Sequence, residues 1–273
     1  MKFAEHMLFV SILIILGFSV HIYNSNAANN NRFWVGGGSS ANWYATGPTN
    51  WSLTSGGANN ASVPGSNNRV LFDGSSGTDT VTMDGDINIS SIDFTGYAGT
   101  FNQGSYFMTL PNITDDEVIK FAPGMTYIFS SGAQIWLTGT NCLAPSCTIS
   151  ITTAGKEMPS FLNDAKNNVV ITLQDNYTST IGGIQVQDGT FITNSYDVTV
   201  RYAQFTNYDQ PTTLTLGSTL FTLTGSDADA SYTWLFDNTN GHATLNKGTS
   251  TIKFTDSTSN DKSFYSDNNY YNV

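Results

Sequence analysis

The sequence predicts an all-β protein built as a solenoid, with a cap rich in Trp and Gly at its N-terminal end. Apolar residues are not spaced as in helices, whereas short alternating runs broken by Gly, Asn and Asp recur along the chain. Ser, Thr and Asn form roughly a third of the residues, and these side chains favour strands and turns over helix interiors. A β-sandwich is the alternative, because evenly spaced strands suit it equally.

The charge content excludes one class of partner. The 273 residues include 10 Lys and Arg against 21 Asp and Glu, for a formal net charge of -11, and only 11% are charged. Binding nucleic acid through its phosphates requires clustered Lys and Arg, so we expect no nucleic-acid partner. The acidity instead indicates a soluble, exported surface.

Residues 1–27 have the pattern of a secretory signal peptide. Lys2 supplies the positive start, 7–20 is an apolar stretch too short to cross a bilayer, and cleavage is predicted between Ala27 and Ala28. An uncleaved N-terminal anchor is the alternative. No second apolar run follows, so we expect no transmembrane span after signal removal and a secreted or cell-surface location.

The mature chain is predicted to comprise an N-terminal cap segment, 28–73, and a β-solenoid domain, 74–273. Segment 99–110 aligns without gaps to 189–200, with half of the positions identical. A second pattern, Gly followed by apolar-x-apolar-Thr, recurs at three places, and its last two copies are 31 residues apart. These places are 132–139, 217–225 and 248–256. Repeats of tens of residues are typical of solenoids, whose units bury their apolar faces by stacking.

The cap segment concentrates aromatic residues among turn residues. Trp34, Trp43 and Trp51 suit the covering of the open end of a solenoid. Exposed Trp and Tyr rings also stack on sugars, so Trp43, Tyr44 and Trp51 are the candidate carbohydrate-stacking residues. Covering apolar surface is the interpretation that the sequence favours for these large rings.

The cap also carries a resemblance to a class of proteins. Trp34-Val35-Gly36-Gly37, the pairs Asn42-Trp43 and Asn50-Trp51, Ser62-Val63-Pro64-Gly65 and Arg69-Val70-Leu71-Phe72-Asp73 resemble the start of exported β-helical surface proteins. That class includes adhesin-like and autotransporter-passenger-like chains, with similar repeats in phage-associated proteins. Segment 81–96 looks like their first full rung, and the resemblance extends over 31–110 and more loosely over 180–273.

The resemblance implies a right-handed parallel β-helix displayed outside the cell. Autotransporters end in a membrane barrel, whereas this sequence ends at Val273 without one, so self-translocation is not expected. A sorting motif is also missing. Phe264, Tyr265, Tyr270 and Tyr271 look like the opening of a further rung. We expect either that these rings cap the end or that another chain stacks there, which would give end-to-end self-association.

Two cysteines, Cys142 and Cys147, enclose a short loop. In an exported protein such a pair predicts a disulfide, because oxidising surroundings favour it. A zinc site would need further soft ligands that the sequence does not offer nearby.

The sequence assigns no catalytic residue. His242 is the only His of the predicted mature chain and lies in a turn, so a nucleophilic triad is not expected. Calcium is the one cofactor for which the sequence offers ligands, because Asp84 with Asp86, and Asp227 with Asp229, each supply two carboxylates. Neither pair belongs to a complete calcium-loop motif.

Asparagines followed by x-Ser or x-Thr are candidate glycosylation sites in an exported chain. They are Asn50, Asn60, Asn88, Asn112 and Asn176.

The function expected is that of an exported, non-enzymatic surface or fibre-like solenoid with an adhesive or structural role. Its partners would be a surface glycan or another surface protein. A carbohydrate-active enzyme or a carbohydrate-binding module on the same scaffold is the alternative. A virus capsid- or tail-associated protein is a third hypothesis, which a cleavable signal disfavours.

Overall fold

A computed structural model describes residues 30–114, 117–139, 147–165, 169–206, 211–225, 232–239, 241–255 and 264–266. Several predictions lie outside these residues: the signal peptide with its cleavage between Ala27 and Ala28, Cys142, and the acidic pair Asp227 and Asp229. Tyr270 and Tyr271 lie outside them as well.

The described residues form strands and no helix. In chain order the strands are β1 (Asn31–Trp34), β2 (Trp51–Ser52), β3 (Arg69–Leu71), β4 (Thr80–Thr82), β5 (Ile87–Asn88), β6 (Ser91–Asp93), β7 (Thr100–Gly104), β8 (Phe107–Leu110), β9 (Glu117–Lys120), β10 (Thr126–Phe129), β11 (Gln134–Leu137), β12 (Cys147–Thr152), β13 (Ser160–Asn163), β14 (Val169–Leu173), β15 (Tyr177–Ser179), β16 (Ile184–Val186), β17 (Gly189–Ile192), β18 (Val198–Val200), β19 (Ala203–Phe205), β20 (Thr212–Thr215), β21 (Leu220–Leu223), β22 (Trp234–Phe236), β23 (Ala243–Asn246), β24 (Thr251–Phe254) and β25 (Phe264–Ser266).

These strands form four sheets. Sheet A has the order β2-β1-β3-β6-β9-β12-β14-β17-β20-β23, and sheet B has the order β10-β7-β4. Sheet C has the order β25-β22-β19-β16-β13-β11-β8-β5, and sheet D has the order β15-β18-β21-β24. From β3 onward the chain forms eight units. Seven of them visit sheet A, then sheet B or D, then sheet C, whereas the fourth passes from β12 of sheet A directly to β13 of sheet C.

Within each sheet the strands of successive units pair in parallel, and the pairing of β1 with β2 is the one antiparallel ladder described. A β-sandwich is built from antiparallel sheets, so that alternative is wrong. The prediction of an all-β chain with stacked repeats agrees with this arrangement. No helix of the described residues is long and apolar enough to cross a membrane.

The alternating runs of the sequence explain which side chains form the core. In β12, Ile149 and Ile151 are buried and Ser150 between them is partly exposed. In β14 the pattern repeats one unit further along, with Ile171 and Leu173 buried. Successive side chains of a strand point to opposite faces, so each strand contributes one apolar face to a shared interior. The strongly apolar residues therefore stack from unit to unit, as a solenoid requires.

One of the two predicted sequence repeats corresponds to equivalent strands in the structure, and the other does not. The copies 31 residues apart fall on paired strands, because Leu220 is in register with Thr251 and Phe221 with Ile252. The alignment of 99–110 with 189–200 is wrong as a structural equivalence, because β7 lies in sheet B and β17 in sheet A. Both strands share the local sequence Gly-Thr-Phe, which encodes alternation but not the sheet to which a strand belongs.

The tryptophans of the predicted cap segment pack against one another in the interior. The ring centroids of Trp34 and Trp51 are 5.1 Å apart, and those of Trp43 and Trp51 are 4.7 Å apart. Trp51 Nε1 donates to the Trp43 carbonyl oxygen at 3.1 Å. Strand β3, which lies within the predicted cap, already pairs in parallel with β6 and so joins the repeating units.

Candidate functional site

The most distinctive outer surface of the described residues is a row of side chains that crosses sheet C. The ladders place one residue from each of eight strands in a single register, and we call this set the outer row. Its members are Asn88, Thr109, Trp136, Leu162, Gln185, Gln204, Leu235 and Tyr265. Asn88 and Tyr265 are exposed and the others are partly exposed. With neighbouring strands about 4.8 Å apart, the row extends about 34 Å.

The alternation of each strand fixes the outer row. Trp136 lies between Ile135 and Leu137, which are both fully buried, so its own side chain points away from the core. Leu235 lies in the same way between Trp234 and Phe236. The row contains four apolar or aromatic residues, three amides and one hydroxyl, and none of its members is charged. Its surface can therefore offer apolar contact and neutral hydrogen bonding together.

Further aromatic rings flank the outer row. Phe107 packs edge-on against Trp136, with centroids 6.4 Å apart, and Tyr232 contacts Tyr265 at 5.8 Å. The Tyr202 ring lies over Gly183, where an added Cβ would stand 2.4 Å from it. The Tyr202 hydroxyl also accepts a hydrogen bond from Gln185 Nε2 at 3.3 Å. Glycine at 183 thus lets a ring lie flat beside the row.

Sheet A provides a contrast that shows how unusual this surface is. The outward residues of β12, β14, β17, β20 and β23 that share one register carry no aromatic ring. They are Thr148, Val170, Thr190, Thr213 and Thr244. This register of sheet A therefore lacks the aromatic rings that the outer row of sheet C presents.

A second, smaller cluster lies at the start of sheet C. The exposed Tyr44 ring lies next to Gly85, its backbone N–H donates to Asp84 Oδ1 at 3.0 Å, and its hydroxyl donates to the Asp86 carbonyl oxygen. Asp86 Oδ1 accepts from the Phe107 N–H at 2.8 Å. Burial, together with the charges of Asp84 and Asp86, raises the pKa of Tyr44 above its ordinary value. Both carboxylates are exposed, and each is anchored by a backbone donor.

Two of the three predicted carbohydrate-stacking residues are not accessible. Trp43 and Trp51 are fully buried, so no sugar ring can reach them, and this part of the prediction is wrong. Their rings fill the interior because large aromatic groups bury the most apolar surface. Tyr44 is 38% exposed and remains a candidate.

The predicted glycosylation sites differ in access. Asn50 is 1% exposed, its Nδ2 donates to the carbonyl oxygens of Ser40 and Asn42, and its Oδ1 accepts from the Gly38 N–H. A glycan on Nδ2 would replace one of its two N–H donors and has no room beside a buried side chain, so the folded chain does not offer this site. The other four differ in exposure: Asn60, Asn88 and Asn176 are exposed, and Asn112 is partly exposed.

The predicted calcium ligands that can be located are Asp84 and Asp86. Among the described residues no group of three or more His, Cys, Asp or Glu side chains could hold a metal ion. Calcium takes six to eight oxygens, so two carboxylates would need several carbonyl or water ligands as well. Calcium binding stays a prediction.

The predicted disulfide cannot be followed across both residues. Cys147 is fully buried at the start of β12, and Cys142 lies outside the described residues. The pairing therefore stays a prediction.

Sequence reasoning missed the outer row, although it identified the strand of Trp136. The signal was present locally, because a Trp between two buried aliphatic residues in a strand must face outward. The sequence does not predict the strand register that places Trp136, Leu162 and Leu235 in one row, because loops of different lengths separate their strands.

Comparisons with known proteins do not add a family to this geometry. A scan against protein-family models finds no match, and neither a curated protein nor a solved structure is significantly similar to the chain.

Proposed function

We propose that the chain is an exported, non-enzymatic surface protein that adheres through the outer face of sheet C. Its fold is a right-handed parallel β-helix in this proposal, as in the exported β-helical surface proteins that the cap sequence resembles. The parallel stacking of eight units, seven with three strands and the fourth with two, supports that architecture. The amino-terminal 27 residues supply export, and intact-mass measurement of the secreted product should place its first residue at Ala28.

The observation that carries the adhesive role is the outer row. Exposed aromatic rings stack on the apolar faces of sugars, and neighbouring amides can donate to and accept from sugar hydroxyls. Trp136 and Tyr265 supply rings, while Gln185 and Gln204 supply amides on adjacent strands. Because the row is uncharged, its preferred partner is a neutral glycan chain.

A glycan array with the mature chain tests this proposal. Trp136→Ala and Tyr265→Ala should each weaken binding about threefold to tenfold, since an aromatic contact contributes about 0.5–1.5 kcal/mol beyond area burial. Thr213→Ala, an outward change on sheet A, is the matched control and should bind as well as the unchanged chain. Equal binding by all three variants, or no binding to any glycan, would remove the adhesive role from sheet C.

The alternative is a carbohydrate-active enzyme or a binding module centred on Tyr44. The observation that favours it is an exposed ring beside two exposed carboxylates, Asp84 and Asp86. Incubation with the glycans bound on the array, followed by a reducing-end assay, separates the candidates. Release of reducing ends that Asp84→Asn abolishes would establish hydrolysis. Binding without release, lost in Tyr44→Ala but kept in Trp136→Ala, would place a binding module there.

A further inference from the structure

One face of the stack of units is interrupted. Sheet B ends at β10 and sheet D begins at β15, although the strands of sheets A and C continue through the fourth unit. In that unit a single bridge, between Glu157 and Thr178, takes the place of a strand. β10 is therefore paired on one side, with β7, and has no strand on its other side among the described residues.

A change in the length of the chain explains this interruption. Thirteen residues, 121–133, connect β9 to β11 in the third unit, whereas seven residues, 153–159, connect β12 to β13 in the fourth. The shorter connection turns early, through left-handed backbone at Ala154 (φ 51°) and Gly155 (φ 72°). The fourth unit thus has too little chain to follow β10 along its length.

The hydrogen-bond pattern shows which backbone groups are left open. The N–H groups of Thr126 and Ser130 donate toward the preceding unit, to the carbonyl oxygens of Gly99 and Gly104. Because alternate residues of a parallel strand bond to opposite sides, the N–H and C=O groups of Tyr127 and Phe129 point toward the fourth unit. Within the described stretches 126–130 and 153–159, no backbone hydrogen bond crosses between the two units.

The side chains at this edge are also incompletely covered. Phe101 of β7 is fully buried, whereas Tyr127 and Phe129 are only partly buried, and their ring centroids are 5.3 Å apart. Ile128, which points outward between them, is 46% exposed. Open main-chain groups therefore coincide with accessible aromatic surface.

We propose that the edge of β10 binds an extended polypeptide strand from a partner protein, carrying a large apolar residue that covers Tyr127 and Phe129. An open strand edge is a template for addition of another strand, where main-chain bonds supply affinity and pockets for alternate side chains supply specificity. N–H and C=O groups that alternate at strand spacing match another main chain better than they match a sugar. This surface is separate from the outer row and does not depend on glycan binding.

Amide hydrogen exchange, followed by NMR on the full mature chain, tests the edge itself. In the free protein the amides of Tyr127 and Phe129 should exchange at least about tenfold faster than those of Thr126 and Ile128, because only the latter face a paired strand. Slow exchange at all four positions would show that the edge is already covered and would overturn the proposal.

A synthetic strand tests the binding. The probe is the blocked heptapeptide Thr-Val-Thr-Phe-Thr-Val-Thr, which should slow exchange at Tyr127 and Phe129 while leaving Thr126 and Ile128 unchanged. Two N-methylated forms of the peptide, each methylated on the amides of one edge, are the controls. The form methylated on the edge that would face β10 loses those donors and should lose binding. The form methylated on the opposite edge should still bind. No protection by the parent peptide, or equal binding by both methylated forms, would overturn the proposal.

A protein variant gives an independent readout. Ile128→Lys places a charge beside the edge and should weaken peptide binding about tenfold, because edge lysines oppose strand addition. Leu220→Lys, an exposed apolar position on sheet D two strands away from β15, is the matched control and should bind as before. Equal effects of the two changes would contradict docking at β10.

Discussion

The region from β1 to β10 and the region from β12 to β24 fill the same repeating architecture in different ways. In the first, large rings form a three-dimensional cluster around Phe72, which contacts six other aromatic residues. These are Trp34, Trp43, Trp51, Phe94, Tyr97 and Phe101. In the second, a chain of rings runs from Phe161 to Phe191, Phe205 and Trp234 among aliphatic residues, with Phe236 beside Phe205 and Phe221 beside Trp234.

The second region also buries hydroxyl groups in register. The Thr193 and Thr219 hydroxyl oxygens lie 2.6 Å apart, within hydrogen-bond distance of each other. Thr193 Oγ1 also lies 2.9 Å from the Leu216 carbonyl oxygen, and Thr219 Oγ1 lies 2.9 Å from the Tyr196 carbonyl oxygen, so the two hydroxyl protons are shared among these three contacts. Both side chains are fully buried. Because each of these polar groups is satisfied within the interior, the contacts at this turn help to keep successive units aligned.

The largest expected effect tests the aromatic cluster. Trp51→Ala removes a fully buried ring and its bond to the Trp43 carbonyl oxygen, and the free energy of unfolding should fall by about 3–5 kcal/mol. Equilibrium denaturation in urea measures this change.

Trp136→Ala is the control for that change, because it removes the same side chain from an outward position. Its loss of stability should be clearly smaller, while its loss of glycan binding should be larger. Equal destabilisation by the two variants would mean that the buried ring of Trp51 contributes no more to the free energy of unfolding than the outward ring of Trp136.

A second, smaller effect concerns the tyrosine at the side of the cluster. Burial, with the charge of Asp79 contributing, raises the pKa of Tyr97 to about 12. Its hydroxyl donates to the carbonyl oxygens of Asp79 and Thr100. The folded state therefore holds this proton more tightly than the unfolded state, whose tyrosine titrates near its ordinary pKa of about 10.

The stabilising contribution of Tyr97 is complete below about pH 10 and is lost as the pH rises through about 12. Denaturation series between about pH 8 and about pH 11.5 should show this loss, and Tyr97→Phe should reduce its slope while lowering stability at neutral pH. An unchanged slope in the variant would assign the alkaline loss to other tyrosines, such as Tyr127 and Tyr177, whose pKa values burial also raises.

Alternation and repeat spacing could be predicted from the sequence because they are local. The run Ile149-Ser150-Ile151 correctly indicates a strand with one buried face. The spacing of the last two copies correctly pairs β21 with β24. A glycine in each copy, Gly217 (φ 61°) and Gly248 (φ 54°), takes the left-handed turn before its strand, which explains why the copies share that residue.

Features that depend on packing could not be predicted. The sequon at Asn50 gives no sign that its side chain holds together three backbone groups. The tryptophans of the cap stand among turn residues, and the sequence around them does not reveal that Trp34, Trp43 and Trp51 are all buried. The open edge of β10 arises from a difference in length between two connections, and that difference has meaning only once the neighbouring strands are known.

The smallest effect tests the hydroxyl contacts of the second region. Thr219→Val keeps the shape of the side chain and removes its bonds to Tyr196 and Thr193, so the free energy of unfolding should fall by about 1–2 kcal/mol. Thr222→Val, on the outward face of β21, the strand that Thr219 directly precedes, is the matched control and should change stability by less than about 0.5 kcal/mol.

The double variant Thr193→Val with Thr219→Val decides whether the two hydroxyls act together. Removing one partner leaves the other without its 2.6 Å contact, whereas removing both leaves neither partner unsatisfied. The double variant should therefore be less destabilised than the sum of the single variants. Simple additivity would show that each hydroxyl matters only through its own carbonyl partner, and the contact between them would then contribute nothing to holding the second region in register.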